Sequence, residues 1–228
     1  AVNIFPEMSG WLRDEWDILD QREFDNFQFV SPDEKEELAA ILKEWEGRTF
    51  EDLTAIQYSQ EELDALEVGV MTKGVSKQST MCMNPDYPEM VKVGYRYYIE
   101  ECREKLETLE REEMTLEKMN QKYTWQAMII AMEAIIDFAH RYADLAEKMA
   151  AECTHEKQKT ELLTIAADCR VVPENPPQTF QQVLQLILIT HCAIMIENNG
   201  YHHPIGRLDQ YLYPFYEKAL AEGESEAV

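Results

Sequence analysis

The run Val183 to Ile196 constrains this chain more than any other stretch. It is apolar on nearly every side, interrupted only by Gln185, Thr190 and His191. A helix with no water-facing side has to be surrounded by protein. It falls short of the roughly 20 apolar residues needed to cross a bilayer. Pro176-Pro177 ends whatever precedes it, and Thr179 with Gln182 three residues on forms a capping-box start. Directly after the run comes a polar, glycine-punctuated knot, Glu197-Asn198-Asn199-Gly200-Tyr201-His202-His203-Pro204-Ile205-Gly206-Arg207. A buried helix that delivers such a knot into the interior is a way of building a site. An ordinary loop after a core helix is the plainer reading of the same pattern.

Upstream, helix signals dominate. Ser9 is placed to cap a short helix over Trp11–Leu19. Ser31-Pro32-Asp33-Glu34 combines an N-cap serine, proline at the first position and glutamate at the third, so a helix is expected from there to about Trp45, stopping at Gly47. Ser59 with Glu62 opens another over Leu63, Leu66 and Val68, ending near Gly69. Further helices are expected over Tyr87–Glu112, Lys122–Glu152 and His155–Cys169, the last capped by Thr154. Strands are scarce. The fold class expected is mainly α, with at most one or two short strands.

Residues 69–86 break the pattern. They have no helical period and are small, polar and sulfur-bearing: Lys73, Lys77, Gln78, Met81, Cys82 and Met83. A connection this long is more often functional than a short one; a surface loop with incidental polar residues is the alternative.

Charge removes several function classes. A formal net charge of −23 opposes binding to a phosphate backbone and to anionic surfaces. No partner nucleic acid and no membrane are expected. The five cysteines show no zinc or redox spacing, and an odd number in a helix-rich chain points to a reduced, cytoplasmic protein. Glu133, Asp137 and His140 share a helix face, but a carboxylate-bridged metal site needs a second helix with Glu-x-x-His, which the sequence lacks. Neighbouring His202 and His203 should point apart. No metal site is expected. Cys82 has no base partner in sequence, and there is no phosphate loop or serine nucleophile elbow.

Asn198-Asn199-Gly200-Tyr201 through Gly206-Arg207-Leu208-Asp209-Gln210-Tyr211-Leu212-Tyr213-Pro214-Phe215-Tyr216 resembles a segment of the glycyl radical enzymes, the pyruvate formate-lyase-like superfamily. That family reads Glu-Ser-Asn-Gly, a variable stretch, then Gly-Arg-x-Asp-Gln-Tyr-x-Tyr-Pro-Phe-Tyr. Pro176-Pro177-x-Thr179-Phe180, Arg141-Tyr142-Ala143 and, near the start, Pro6-Glu7, Arg22, Asp25-x-Phe27, Ser31 and Trp45-x-Gly47-Arg48-Thr49 are similar to the family as well. The likeness spans nearly the whole chain and favours the eliminase branch, the dehydratases and choline trimethylamine-lyase-like enzymes.

The resemblance implies a fold and a chemistry. The chain would be the N-terminal helical part of a ten-stranded α/β barrel, residues 1–228 forming one segment of a longer polypeptide. A partner that uses S-adenosylmethionine and an iron–sulfur cluster installs a backbone glycyl radical, and no cofactor is bound. The radical converts a cysteine to a thiyl, which takes hydrogen from an unactivated C–H in a sealed pocket, and a neighbouring C–O, C–N or C–S bond then breaks. The sequence holds no Gly-Cys-x-Glu thiyl loop and no Arg-Val-x-Gly radical motif. The catalytic cysteine and glycine are therefore expected outside it, and these residues alone should be inactive.

Expected partners are the remainder of the same polypeptide, the activating enzyme and a second copy in a homodimer. Expected substrate contacts are Lys77, Gln78 and Cys82 in the first stretch and Asn199, Tyr201 and His202 in the second. Dehydratases of the family often read Gly-His just before Pro85-Asp86-Tyr87. Met81-Cys82 or Cys82-Met83 stands there instead, so no imidazole is offered, and Lys73, Lys77 or Gln78 would hold an anionic or polar substrate. Alternatives are a radical decarboxylase or fumarate-adding synthase of the same superfamily, or a non-catalytic helical interaction module.

Overall fold

A computed structural model describes residues 12, 15–21, 30–71, 84–198 and 203–223. The chain divides into two compact units, residues 1–83 with 194–203, and residues 84–193 with 204–228. Among the described residues all regular structure is helical, and no strand occurs.

In the first unit, a 3₁₀ turn, Trp16–Ile18, precedes three short helices, α1 (Pro32–Glu44), α2 (Phe50–Ala55) and α3 (Gln60–Glu67). The helix expected over Trp11–Leu19 is not continuous, because Glu15 takes a non-helical backbone (φ −103°, ψ 12°). All three helices open with a complete capping box: Ser31 with Glu34, Thr49 with Asp52, and Ser59 with Glu62. Each box satisfies two amides that the first turn would otherwise leave unpaired. The α2 helix was not read from the sequence, although Thr49 with Asp52 carries its signal. Leu12, Leu19, Val30, Leu38 and Leu42 form the core of this unit, with Trp16 packed against it. Lys35 reaches back to Asp20 at 2.9 Å and lies over the Trp16 ring at 5.3 Å. The α3 helix buries none of its residues; Leu66 is half-buried, whereas Leu63 and Val68 are exposed.

The second unit is built on α4 (Tyr87–Leu109), α5 (Leu116–Glu152), α6 (Glu156–Val171), α7 (Phe180–Asn198) and α8 (Leu208–Ala221). The last turns of α7 group with the first unit. The α5 helix begins six residues before the expected Lys122, because the Thr115 side chain accepts from the Lys118 amide. Where Thr154 was expected to cap α6, His155 holds the N-cap position without a side-chain bond. Ala139, Ala143, Ala146 and Ala150 are all buried at four- and three-residue spacing on α5. Their small side chains let α6 approach, bringing Ala166 and Cys169 into the same cluster with Ile189.

The α4 helix is interrupted at Gly94, whose φ of 69° and ψ of 175° lie outside the helix. The interruption turns two α4 amides onto the segment after α6: Tyr95 donates to the Pro173 carbonyl and Arg96 to that of Glu174, each at 2.9 Å. Arg96 and Glu174 are also ion-paired, and His140 Nε2 lies 3.7 Å from the same carboxylate. Arg103 pairs with Glu133. Glu133, weighed above as a metal ligand, thus belongs to an ion pair that joins α4 to α5, and His140 of the same set lies against Glu174.

The α7 start differs in detail from the expected capping box. The Gln182 amide does bond Thr179 Oγ1, at 3.1 Å, but the Gln182 side-chain oxygen accepts from Gln178 rather than from Thr179. Val183, Leu186, Ile187, Ile189 and Thr190 are buried, whereas Leu184 and Leu188 remain 43% and 56% exposed. Among the described residues, the all-round apolar helix therefore keeps one side partly exposed. Tyr95 donates to Thr190 Oγ1 at 3.3 Å, tying α4 to α7.

Candidate functional site

The two stretches singled out in the sequence meet at Asn84 of the first and Gly206 of the second. Asn84 is the first described residue after the 72–83 stretch, and Gly206 lies four residues beyond 199–202. The Asn84 carboxamide packs against Gly206, its nitrogen and oxygen each 3.5 Å from where a β-carbon would stand. Gly206 has a φ of 68°, the left-handed region where a side chain is strained. Lys77, Gln78 and Cys82, and likewise Asn199, Tyr201 and His202, lie outside the described residues.

Beside this junction runs a half-open groove of about 900 Å³ between the starts of α4 and α8. Its apolar wall is Pro85, Pro88, Val91, Tyr211, Pro214 and Phe215, and Asn84, Asp86, Lys92, Arg207 and Gln210 supply its polar groups. Asp86 is the N-cap of α4, accepting from the Glu89 amide at 3.3 Å. Lys92 pairs with Glu89, and that bond holds its ammonium above the usual lysine range. Arg207 faces Asp209 at 3.2 Å, which raises the guanidinium and lowers the carboxyl.

Below the groove is a phenol layer. Tyr87, fully buried, stacks on Tyr211 at 6.2 Å between ring centroids. Tyr211 donates to the Ile205 carbonyl at 2.7 Å, which fixes the segment leading into α8. Burial raises the Tyr211 phenol, and burial followed by the nearness of Tyr95, Tyr211 and Cys192 raises that of Tyr87. Such phenols stay neutral at physiological pH. Sequence reasoning missed the groove, because Pro85, Pro88 and Pro214 look there like helix punctuation. Pro214, inside an otherwise helical run, is the residue that signals it.

The described lining residues can bind and position. Among them there is no thiol or free acid–base pair to break a bond, and no three metal-ligating side chains come together among the described residues.

Comparison with known proteins gives this site its setting. A family model for pyruvate formate lyase-like proteins matches residues 1–227. The chain belongs to that family. It is 32% identical over 222 residues to (2S)-3-sulfopropanediol dehydratase of Klebsiella oxytoca, covering 95% of this chain and 27% of that protein. Among solved structures it is similar to a protein of 1,2-propanediol dehydration in Roseburia inulinivorans, with a TM-score of 0.81, 30% identity, and coverage of 98% of this chain and 28% of that one. A glycyl radical enzyme from Archaeoglobus fulgidus matches with a TM-score of 0.77 and 31% identity, over 96% of this chain and 28% of that one. The chain thus spans little more than a quarter of these relatives' length. The family assignment agrees with the sequence resemblance, and the helical fold corresponds to part of a glycyl radical barrel enzyme. No described helix is long and apolar enough to cross a membrane.

Proposed function

We propose that this chain is the N-terminal part of an oxygen-sensitive glycyl radical eliminase, cleaving a C–O, C–N or C–S bond of a small substrate. The observation that carries the reading is the packing of Asn84 against Gly206, which anchors the ends of two polar stretches at one place. Those stretches would form one wall of the substrate chamber, with Lys77, Gln78, Cys82, Asn199, Tyr201 and His202 facing inward. The similarity to dehydratases supports the reaction class.

The hydrogen-abstracting thiyl cysteine and the glycine that bears the radical would come from polypeptide outside these residues, and an activating enzyme would install the radical. The role of this chain is to bind the substrate, orient it and keep water out, since an exposed radical is lost to side reactions. Residues 1–228 alone would turn over nothing. The enzyme would work as a cytoplasmic homodimer.

Tyr201→Phe, made in the polypeptide expressed from its native reading frame and activated anaerobically, tests this. Removing a hydroxyl that holds substrate costs about 1–3 kcal/mol, so kcat/KM should fall roughly 5- to 150-fold. Unchanged kinetics, or an expressed polypeptide that accepts no radical, would overturn the reading.

A further inference from the structure

The α8 helix opens without a side-chain cap. Arg207 holds the N-cap position, and its side chain makes no capping bond. The tie comes instead from inside the helix. Tyr211 reaches back six residues, and its hydroxyl donates to the Ile205 carbonyl at 2.7 Å. Ile205 immediately precedes Gly206, where the backbone turns left-handed at a φ of 68°. The bond therefore fixes a peptide plane outside the helix, at the joint between α8 and the stretch 199–202.

The ring and the hydroxyl of Tyr211 do separate jobs. The ring is buried and stacks on Tyr87, the first residue of α4, at 6.2 Å between centroids. It shares the apolar core with Leu212, and Ile205, Leu208 and Phe215 pack against that core. Those contacts seat α8 with or without the oxygen. What the oxygen adds is a fixed direction for one carbonyl. Tyr201 lies only four residues before that carbonyl in the chain.

We propose that Tyr211 is a positioning residue for the substrate, its hydroxyl aligning the stretch 199–202 through the Ile205 carbonyl. This rests on the reading that Asn199, Tyr201 and His202 face the substrate. Groups that orient a substrate have to be held within about 0.5 Å. A misplacement of about 1 Å can cost on the order of 100-fold in rate, even when its cause lies away from the chemistry. One hydrogen bond at the root of such a stretch is enough to make that difference.

The test uses the polypeptide expressed from the native reading frame and activated anaerobically. Its probes are ethylene glycol, ethanolamine and isethionate, three hydroxyethyl compounds that offer a C–O, a C–N or a C–S bond to break. Kinetics are followed on the probe that wild type consumes best. Tyr211→Phe keeps the stacked ring and should lower kcat/KM roughly tenfold, chiefly through KM, with a Tm close to that of wild type. In a Tyr201→Phe background the same change should add nothing, because the group it aligns is already gone. Para-aminophenylalanine at position 211 keeps a donor and should restore most of the loss. A merely structural role would lower the Tm and the amount of active enzyme in both backgrounds and leave KM alone. That result, or unchanged kinetics, overturns the proposal.

Hydrogen exchange supplies a readout that needs no turnover. Amides in 199–207 should exchange several-fold faster in Tyr211→Phe while those of α8 stay protected. Equal exchange overturns the proposal whatever the kinetics. A wild type that accepts no radical or consumes none of the probes sinks the enzyme reading and this inference with it. If Tyr201→Phe is impaired and Tyr211→Phe is not, this inference falls alone.

Discussion

The Asn84 carboxamide lies in ordinary van der Waals contact with the position a β-carbon on Gly206 would take, 3.5 Å away. Space is therefore available for a side chain at Gly206, and only the positive φ of 68° resists one. Gly206→Ala should cost about 1–2 kcal/mol, the penalty of a left-handed residue with a β-carbon. Gly206→Asn should cost less, since asparagine tolerates this region. Urea denaturation midpoints of the two variants check the order.

Gly94 makes the opposite case. A β-carbon there would stand 2.6 Å from the Asn175 carbonyl carbon and the Glu174 oxygen, both main chain. Nothing flexible can yield. Gly94→Ala should therefore force α4 away from residues 173–175 and endanger the Tyr95 and Arg96 amide bonds. A loss of about 3 kcal/mol or more, or failure to give soluble protein, is expected. Thermal unfolding beside Gly206→Ala gives the comparison.

Tyr87 buries its hydroxyl without a hydrogen-bond partner among the described residues. An unsatisfied buried hydroxyl costs about 1–3 kcal/mol, so Tyr87→Phe should raise the Tm or leave it unchanged. A clear fall would mean that the hydroxyl bonds to something beyond the described residues. The layer also sets an alkaline limit. Burial raises the Tyr87 phenol and pushes Tyr95 up to about 12, against a smaller opposing effect of its bond to Thr190. The unfolded phenol titrates near 10. Between those values the folded state holds more protons, so stability is full below about pH 10 and is lost as the pH rises through about 12. Tyrosinate absorbance and circular dichroism followed together should show ionisation coinciding with unfolding.

Asp168 on α6 is a buried acid. One of its oxygens has no partner among the described residues. Burial raises its pKa, and the side-chain hydrogen bond of Gln182 lowers it by less. The folded pKa thus lies above the unfolded one, and the contribution to stability is present in acid and lost as the pH rises through the folded pKa. Asp168→Asn should raise the Tm at pH 7. The gap to wild type should close below about pH 4, where the unfolded carboxyl is also protonated.

Leu184 and Leu188, one turn apart on α7, leave an apolar strip uncovered. The 228-residue chain should bind a hydrophobic dye and associate with rising concentration. Leu188→Glu should reduce both. Sedimentation of a single monomeric species that binds no dye would contradict this.

Much of the helical plan was legible because its signals are local. Ser31 with Glu34 and Ser59 with Glu62 identify helix starts within four residues, and the Gly206–Tyr216 motif is specific enough to suggest the family. What the sequence hid depends on distant partners. The break at Gly94 exists to meet residues 173–175, and nothing near Gly94 announces them. Full burial of α7 is expected from its composition only where the rest of a longer polypeptide covers it, and among the described residues one face stays open. The groove escaped notice because its walls lie more than a hundred residues apart in sequence, at Pro85–Lys92 and Gly206–Phe215. Substrate contacts proposed at Lys77, Gln78, Cys82, Asn199, Tyr201 and His202 lie outside the described residues.

The three capping boxes at the front of the chain bear on how it leaves the ribosome. Six to thirteen residues make a marginal helix in isolation, but Ser31, Thr49 and Ser59 each mark a starting point using only residues already synthesised. These three helices can thus form in the order of translation. By contrast, α7 needs Tyr95, made 95 residues earlier, to satisfy its Thr190. Its exposed leucines therefore make the interval after its emergence the one in which a nascent chain most needs a chaperone.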